Sequence, residues 1–443
     1  METEQVGKMK KTQRSHIVTP LMVLVLSFLA GGRLGAQENI LSNGLELGIG
    51  ARAIAMGGAY SAVGEDYSAS YWNPAGLALV RRFEISGGLS RFQNQTDSRF
   101  QNTSMLDEET FTRLNEFGIV YPVPTYRGSL VFSFGYNRIK NYDNNFAFGT
   151  FNPLAEDQVD QNWREYEVGT LNQWTAAGAV DLSPAFSVGL SMNFITGKDD
   201  YTFTFKERDR DDIYTFADFR RDDSIISSLS GFNMTIGGLY RVNSELRLSA
   251  YMITPSTITI SENWQTVEVT TFDEDPSESS DEGGQFQYKM RMPYIFGAGA
   301  AFNFAGLLLA GNIELLDWKQ VRYETEPPLE GLSRAEANDQ IRDTFRSTTR
   351  IRLGAEYTIP KSRTQIRAGY YIDPSPLYNA TTTRDRELYS LGLGLLLDKQ
   401  VKLDIAYVFG EWEETDPFDN NYVTSLTRSI SYKRLLATLS IRL

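Results

Sequence analysis

Between residues 82 and 443 the chain alternates apolar with polar residues in one segment after another, and the connections between segments are short and long in strict turn. Fourteen segments can be read, near 82–93, 113–123, 128–142, 165–182, 186–204, 224–241, 246–262, 285–304, 307–324, 342–359, 363–374, 385–398, 401–413 and 426–443. The alternation is plainest in Leu130/Phe132/Phe134/Tyr136, Phe186/Val188/Leu190/Met192/Phe194, Leu246/Leu248/Ala250/Met252 and Leu435/Ala437/Leu439/Ile441/Leu443. A period of two marks strands with one apolar face. The short links are Pro122–Tyr126, Asp181–Pro184, Val242–Glu245, Ala305–Gly306, Pro360–Ser362 and Asp398–Gln400. The long ones lie near 94–112, 143–164, 205–223, 263–284, 325–341, 375–384 and 414–425. A soluble sandwich gives no reason for that order, whereas a bacterial membrane barrel has short turns on one side, long loops on the other and an even strand count. No run after residue 80 approaches the roughly 20 apolar residues of a membrane helix. The expected fold is all-β: a transmembrane antiparallel β-barrel of about 14 strands over 81–443, the named apolar sets facing lipid and the residues between them facing the lumen.

The first residues read as an export signal. Lys8, Lys10, Lys11 and Arg14 form a basic region, Leu21 to Ala30 an apolar one, and Leu34-Gly35-Ala36 a cleavage site. Met9-Lys10-Lys11 is a more ordinary start than Met1, and a signal peptide over 1–36 leaves a mature chain beginning near Gln37. That chain would carry 38 bases against 54 acids, a net charge of −16. Such a balance offers no footprint for nucleic acid. There is no cysteine, and the one histidine, His16, lies in the signal. Disulfides, thiol chemistry, Ser-His hydrolysis and His-ligated metals are therefore excluded from the mature chain. Neither a cofactor nor an enzymatic reaction is expected.

Between the signal and the strands, residues 37–80 form a distinct unit. Gly48 to Val80 is packed with Gly, Ala and Ser, and its bulky pair Tyr71-Trp72 precedes the turn Asn73-Pro74-Ala75-Gly76. Small residues suit a segment folded tightly inside a confined space. Gly48-Ile49-Gly50-Ala51-Arg52-Ala53 fits a dinucleotide fingerprint, but that motif needs a buried strand before it and alternating strands and helices after it, and the chain supplies neither. The segment resembles the N-terminal hatch of the FadL family (OmpP1/FadL/TodX), outer-membrane transporters of long-chain fatty acids and other hydrophobic compounds. That hatch carries an Asn-Pro-Ala motif where Asn73, Pro74 and Ala75 stand. Met292–Gly297, Asn312–Trp318, Arg367–Tyr371 with Asp373–Pro376, Leu391–Gly394 and Asp404–Tyr407 are similar to the family's later strands, in its order. The chain departs from barrel habit by ending in Leu443 where an aromatic usually guides the barrel-assembly machinery.

The resemblance implies a plug inside the lumen, with Asn73, Pro74, Ala75 and Gly76 as its motif near the periplasmic end and Gly48, Gly50, Gly57 and Gly58 as the hatch glycines. In such proteins the ligand is thought to leave sideways, past a kinked third strand. Gly135 interrupts the third segment here and is the candidate kink.

Other clusters invite a site. The acidic run Asp273–Glu282 could gather a hard cation but lacks the turn glycine of an EF-hand, and it reads as a solvated extracellular loop. Lys206–Asp212 and Arg220–Asp223 read as loop-base ion-pair networks. Arg241 and Arg247 flank one short turn, and Arg350, Arg352, Arg363 and Arg367 cluster on neighbouring strands. A lumenal arginine could hold a carboxylate, although barrel interiors are commonly polar and paired across strands.

The expected function is passive uptake of a hydrophobic small molecule, such as a long-chain fatty acid, across a bacterial outer membrane with its lipopolysaccharide leaflet. The alternative is a platform for a secretion-system partner, as in the FadL-like PorV proteins, which the Gly-Ala-Arg-Ala-x-Ala-Met-Gly-Gly-Ala spacing also resembles. A closed hatch and a lumen crowded with polar side chains would favour the platform, and a continuous apolar cavity opening to the outside would favour transport.

Overall fold

A computed structural model of the chain describes residues 46–100, 103–152, 159–329, 331–378, 385–417 and 425–443. The expected signal peptide and the start of the mature chain lie outside them. Eighteen strand segments form a single antiparallel sheet closed on itself, and four pairs of segments are halves of one broken stave, so the barrel has 14 staves. They are β1 (Glu84–Phe100), β2 (Thr103–Val123), β3 (Leu130–Asn141 and Asn144–Asn152), β4 (Val159–Asp181), β5 (Phe186–Arg208) and β6 (Phe216–Arg241). Then come β7 (Leu246–Ile253 and Thr257–Phe272), β8 (Glu278–Arg291 and Ile295–Phe304) and β9 (Leu307–Asp317 and Arg322–Tyr323). The last five are β10 (Ser347–Thr358), β11 (Gln365–Asp373), β12 (Arg386–Leu396), β13 (Val401–Pro417) and β14 (Ser425–Arg442). Closure is made by β1 on β14, from Glu84↔Arg442 to Phe100↔Leu426. A closed ladder leaves no backbone polar group for lipid to strand, which is what lets strands cross a membrane.

The side-chain facing follows the alternation in the sequence. Phe132, Phe134, Leu190, Phe194, Leu248, Leu435 and Leu439 are exposed on the outside, while the intervening Ser133, Gly189, Ser191, Ser249, Leu436, Thr438 and Ser440 are buried inside. All six short turns lie at one end, between residues 123 and 130, 181 and 186, 241 and 246, 304 and 307, 358 and 365, and 396 and 401.

The long connections differ from expectation. Most of 94–112, 143–164, 205–223 and 263–284 is strand, and β4, β5 and β6 run to 23, 23 and 26 residues. A bilayer needs only about 9–11. Beyond the lipid both faces of a hairpin meet water, so the apolar period stops while the backbone ladder continues. The ionic clusters accordingly sit mostly on paired strands: Arg220–Asp222 at 2.6 Å, Arg221–Asp223 at 2.9 Å and Arg221–Glu268 at 2.8 Å. Of the acidic run, 273–277 forms a connection and Glu278–Glu282 begins β8, all of it exposed. The connection between β9 and β10 holds a helix, α3 (Arg334–Thr344), whose Ser333 and Glu336 form a reciprocal cap at its start.

Three neighbouring staves break at one level. Thr254-Pro255-Ser256 divides β7, Met292-Pro293-Tyr294 divides β8, and a 3-10 turn, Trp318–Gln320, divides β9. Proline cannot donate to a ladder. Each break also shifts the two-residue period, and a shift of one residue exchanges the faces. Ile258 and Ile260 continue the outward series of Leu246, Leu248, Ala250 and Met252 in sequence, yet they point inward and are buried. In β8 the inward residues are Gly297, Gly299 and Ala301 below the break and Tyr288 and Met290 above it.

Candidate functional site

The short-turn half of the lumen is filled by residues 46–80. Their elements are two helical turns, α1 (Ala51–Ala55) and α2 (Ala69–Trp72), and a 3-10 segment, Pro74–Leu79. Gly48, Gly50, Gly57 and Gly58 all have positive φ, at 85°, 82°, 63° and 76°. Gly57 also has no room for a side chain: a Cβ there would lie 2.6 Å from the Tyr370 carbonyl and 2.7 Å from that of Leu353. The wall answers with glycines of its own at 354, 369 and 392, each against the backbone or Cβ of Ala55, Met56 or Gly57. Backbone thus meets backbone, and Ser390 Oγ bridges them, accepting from Gly57 N and donating to Ala55 O, both at 3.1 Å.

The entry to α1 is capped by the wall. Gly50 N donates to Glu116 Oε2 at 2.6 Å and Ala51 N to Thr438 Oγ1 at 3.0 Å, while that threonine donates to Glu116 Oε1. These are amides that a helix start leaves unpaired. Arg52, the second residue of α1, is buried and holds Glu65 at 3.0 Å and Glu356 of β10 at 2.8 Å. Glu356 also pairs with Arg367, which pairs with Asp404.

Asn73, Pro74, Ala75 and Gly76 are buried against β5 and β6, next to the short turns that begin at 182 and 242. Pro74 opens the 3-10 segment, where its missing N–H is no loss. Asn73 uses its whole amide: Oδ1 accepts from Ala75 N at 3.1 Å, and Nδ2 donates to Ser61 O at 2.9 Å and Gly238 O at 3.2 Å. Gly237 and Gly189 make the space, since a Cβ on the first would meet Asn73 Oδ1 at 1.9 Å and on the second Pro74 C at 2.3 Å. Trp72 seals the other side, its indole donating to Ile49 O at 2.9 Å with Arg352 stacked over the ring at 5.0 Å.

Gly135 is not a kink. Its pairing with Gly118 and Thr175 is regular, and the irregularity falls further on, between Arg138 and Lys140, followed by the break at Tyr142-Asp143. Gly135 and Gly118 instead form a notch for the ring of Tyr67, whose hydroxyl donates to Asn137 Oδ1 at 2.8 Å. Strand-interior glycine marks a close approach as often as a bend.

The break in β3 interrupts the backbone ladder of the wall. β2 pairs with β3 only from Glu116↔Asn137 to Val123↔Leu130. Above that, β2 continues along β1, and the upper half of β3 pairs with β4 alone among the described residues. Side chains bridge part of the interval, with Ala147 N donating to Asp107 Oδ2 at 3.0 Å and Arg113 facing Asp143 at 3.3 Å.

Above the plug lie two cavities of about 110 Å³ each. The first is walled mainly by Leu171, Ile195, Leu229, Ile258, Met290 and Trp318, with Tyr71 and Glu46 of the plug among its lining. Leu171, Ile195 and Leu229 come from the unbroken β4, β5 and β6, and the stave breaks add Ile258 and Met290 by turning the upper halves of β7 and β8 inside out. Glu46 accepts from Tyr71 Oη at 2.7 Å. Burial alone would raise its carboxyl pKa, but the charges of Arg350 and Lys140 and that hydrogen bond bring it below the ordinary value. The second cavity, between β1 to β4 and β12 to β14, mixes charged groups with apolar ones such as Phe92, Trp412 and Ile430, and Ile139, Lys140 and Tyr142 line both.

The arginines named from sequence divide. Arg350, Arg352 and Arg367 are buried in the lumen and paired, with Asp373 at 2.7 Å, Glu314 at 2.8 Å and Glu356 at 2.6 Å respectively. Arg241 holds Asp181 at 2.6 Å and Arg247 faces Glu65 at 3.9 Å. Arg363 stands outside the lumen, exposed in a turn with φ of 56°. Tyr67, Glu116, Glu356 and Asn137 carried no signal of their own in sequence, since each matters through a partner far along the chain.

The family model described as outer membrane protein transport protein (OMPP1/FadL/TodX) matches residues 308–438. No curated protein sequence matches the chain. In fold it is similar to the toluene transporter TodX of Pseudomonas putida, at 14% identity and TM-score 0.65 over 90% of this chain and 99% of that one. A Pseudomonas aeruginosa FadL homologue follows at 11% identity and TM-score 0.62, covering 90% and 99%, and the Ralstonia pickettii toluene transporter TbuX at 14% and 0.57, covering 89% and 98%. The later strands of the chain thus match the model of the OMPP1/FadL/TodX family, and its 14-stave barrel shares the fold of these solved structures.

Proposed function

We propose that the protein is a passive channel through which hydrophobic small molecules cross the outer membrane. The observation that carries this reading is an apolar cavity standing directly on a plug, beside a stretch of wall whose backbone ladder is interrupted. A solute entering from the long-hairpin side meets Leu229, Ile258 and Met290 before it meets the plug. Burying its surface there is favourable by about 25 cal/mol per Å². The plug blocks the direct way down, and the interval above Glu116↔Asn137 offers the sideways one. The hatch, residues 37–80, acts as the closure, with Asn73–Gly76 as its seat and Gly57 as its closest approach to the wall.

The solved relatives include a toluene transporter and a monoaromatic hydrocarbon channel as well as a FadL homologue. Both small aromatics and long-chain fatty acids therefore belong in the test. A platform for a secretion-system partner would leave the lumen filled with polar side chains, and the apolar cavity argues against it.

Mass spectrometry of small molecules retained by the detergent-purified mature protein tests the reading. Apolar compounds enriched over a control barrel, and lost in Met290→Arg, support it. A preparation free of such compounds that brings down an exported protein in stoichiometric amount would overturn it.

A further inference from the structure

Exposed charge at the short-turn end of the barrel is spread unevenly around the rim. The chain as a whole has 56 acids against 43 bases, yet Arg81, Arg82, Arg127, Lys361, Arg363 and Lys399 all stand exposed there. Against them are the exposed Glu245 and Asp398 and the terminal carboxylate of Leu443. The six cations lie on one arc. Lys361 and Arg363 are in the turn from β10 to β11, and Lys399 is in the turn from β12 to β13. Arg81 and Arg82 precede β1 beside the end of β14, and Arg127 is in the turn from β2 to β3. On the other arc, the turns from β4 to β5, β6 to β7 and β8 to β9 carry no exposed cation.

These cations lack the partners that exposed arginines have at the opposite end. There Arg99 holds Asp97 at 2.9 Å, Arg220 holds Asp222 at 2.6 Å and Arg322 holds Glu324 at 3.1 Å. On the rim Arg81 comes only to 3.9 Å from Asp181, and the other five make no ion pair among the described residues. The arc is apolar at its lipid edge. Tyr126 is fully exposed next to Arg127, Leu397 is exposed two residues before Lys399, and Phe83 follows Arg82 and packs edge-on against the exposed Tyr121 at 6.3 Å. Aromatic side chains at a barrel rim mark the level of the lipid head groups. A lysine or arginine rooted at that level reaches the head groups with its charge while its stem stays on apolar surface.

We infer that this arc of the rim binds the head groups of anionic phospholipid, gathering such lipid along the flank of the barrel from β10 round to β3. In a bacterial barrel the short turns face the periplasm, so the leaflet concerned is the periplasmic one. Clustered cations at a membrane surface attract anionic lipid. An acidic soluble protein would meet the cations from below and leave Tyr121, Tyr126 and Leu397 uncovered, whereas a leaflet meets the charges and the apolar edge together. The inference does not depend on the uptake reading.

The test places the mature protein in nanodiscs of phosphatidylglycerol and phosphatidylethanolamine in equal amounts and counts, by native mass spectrometry, the lipids it keeps on release. Phosphatidylglycerol is expected to exceed phosphatidylethanolamine among them by about threefold or more. Two variants divide the arc: Arg81→Gln with Arg82→Gln and Arg127→Gln, and Lys361→Gln with Arg363→Gln and Lys399→Gln. Each should remove about half of the excess, and the two sets combined should remove it all. Lys198→Gln with Lys206→Gln and Arg208→Gln takes the same charge from exposed positions of β5 and should leave the excess intact. Gel heat-modifiability checks that each variant forms a barrel, and where a combined variant does not, Arg127→Gln and Lys399→Gln singly decide in its place. Equal retention of the two lipids overturns the inference, as does an excess that survives the combined variant or falls as far in the β5 control. Absence of a lipid preference together with stoichiometric recovery of one acidic periplasmic protein would assign the arc to a protein partner and overturn the lipid site.

Discussion

The phenol of Tyr67 occupies the place where a side chain on Gly135 would stand: a Cβ there would lie 2.3 Å from the Tyr67 oxygen. The plug is therefore keyed into the third stave, below the interruption at Tyr142-Asp143. Gly135→Val should expel the ring and loosen the plug while the barrel still closes, because the ladder on both sides of Gly135 is regular. Tyr67→Ala should loosen it too, leaving a hole where a buried aromatic stood, a loss of about 3–5 kcal/mol. Small-solute leakage into cells, with gel heat-modifiability retained, is the expected pair of results. Wild-type tightness in both variants would show that this contact does not hold the plug.

The amide of Asn73 makes three hydrogen bonds in a buried setting. Asn73→Ala with Pro74→Gly removes all of them, takes a donor from the Ser61 and Gly238 carbonyls and an acceptor from Ala75 N, and frees the backbone. Each stranded group costs about 1–3 kcal/mol. Uptake of a hydrophobic probe should change or antibiotic sensitivity rise, with barrel yield unchanged. Loss of the barrel itself would make the segment a folding element and end the gating idea.

Lipid-facing and lumen-facing substitutions should separate cleanly. Leu190 and Leu248 are 42% exposed on the outer surface, and arginine at either should lower the folded fraction by about 2–4 kcal/mol near the midplane. Ser249 is an unsuitable inward control, because its hydroxyl lies 2.8 Å from Ser61 of the plug and a long side chain would collide there. Gln173 lines the apolar cavity and has room above it, so Gln173→Arg should assemble normally. Equal assembly defects at the two kinds of position would contradict the facing.

Acid should leave the plug seated until well below neutrality. Burial alone would raise the pKa of Asp66 in the plug, but the charge of Arg52 and hydrogen bonds from Ser68 and Tyr60 outweigh it and lower the value. Glu46 is likewise lowered, by Arg350 and Lys140 against its burial. A carboxylate with a depressed folded value contributes stability that is present above its unfolded value, about 4, and lost as pH falls through the folded one. Leakage in planar bilayers should therefore stay flat from about pH 7 to 5 and rise only below about 4. A rise between 7 and 5 would show that other groups control the closure.

The sequence by itself determined the staves. A lipid-facing strand must alternate, so Leu130/Phe132/Phe134 or Leu435/Ala437/Leu439 announce both the element and its outer face, and six short turns follow from the same pattern. It determined the plug as a crowded, glycine-rich segment for a similar local reason. Where the strands leave the lipid the period has no cause to persist, and the extents of β4, β5 and β6 were correspondingly hidden. Only the tertiary structure decided what fills the lumen. Ile258 and Ile260 line a cavity and not the lipid because the break at Pro255 exchanges the faces, and the size of that shift is set by neighbouring staves, not by the local residues. Gly135 reads as a bend until Tyr67, 68 residues earlier, is placed over it. Arg113 and Arg138 around Asp143, and Arg386 and Arg428 around Glu414, come from β2, β3, β12 and β14. Closing the barrel brings them together, and no local pattern in the chain records that meeting.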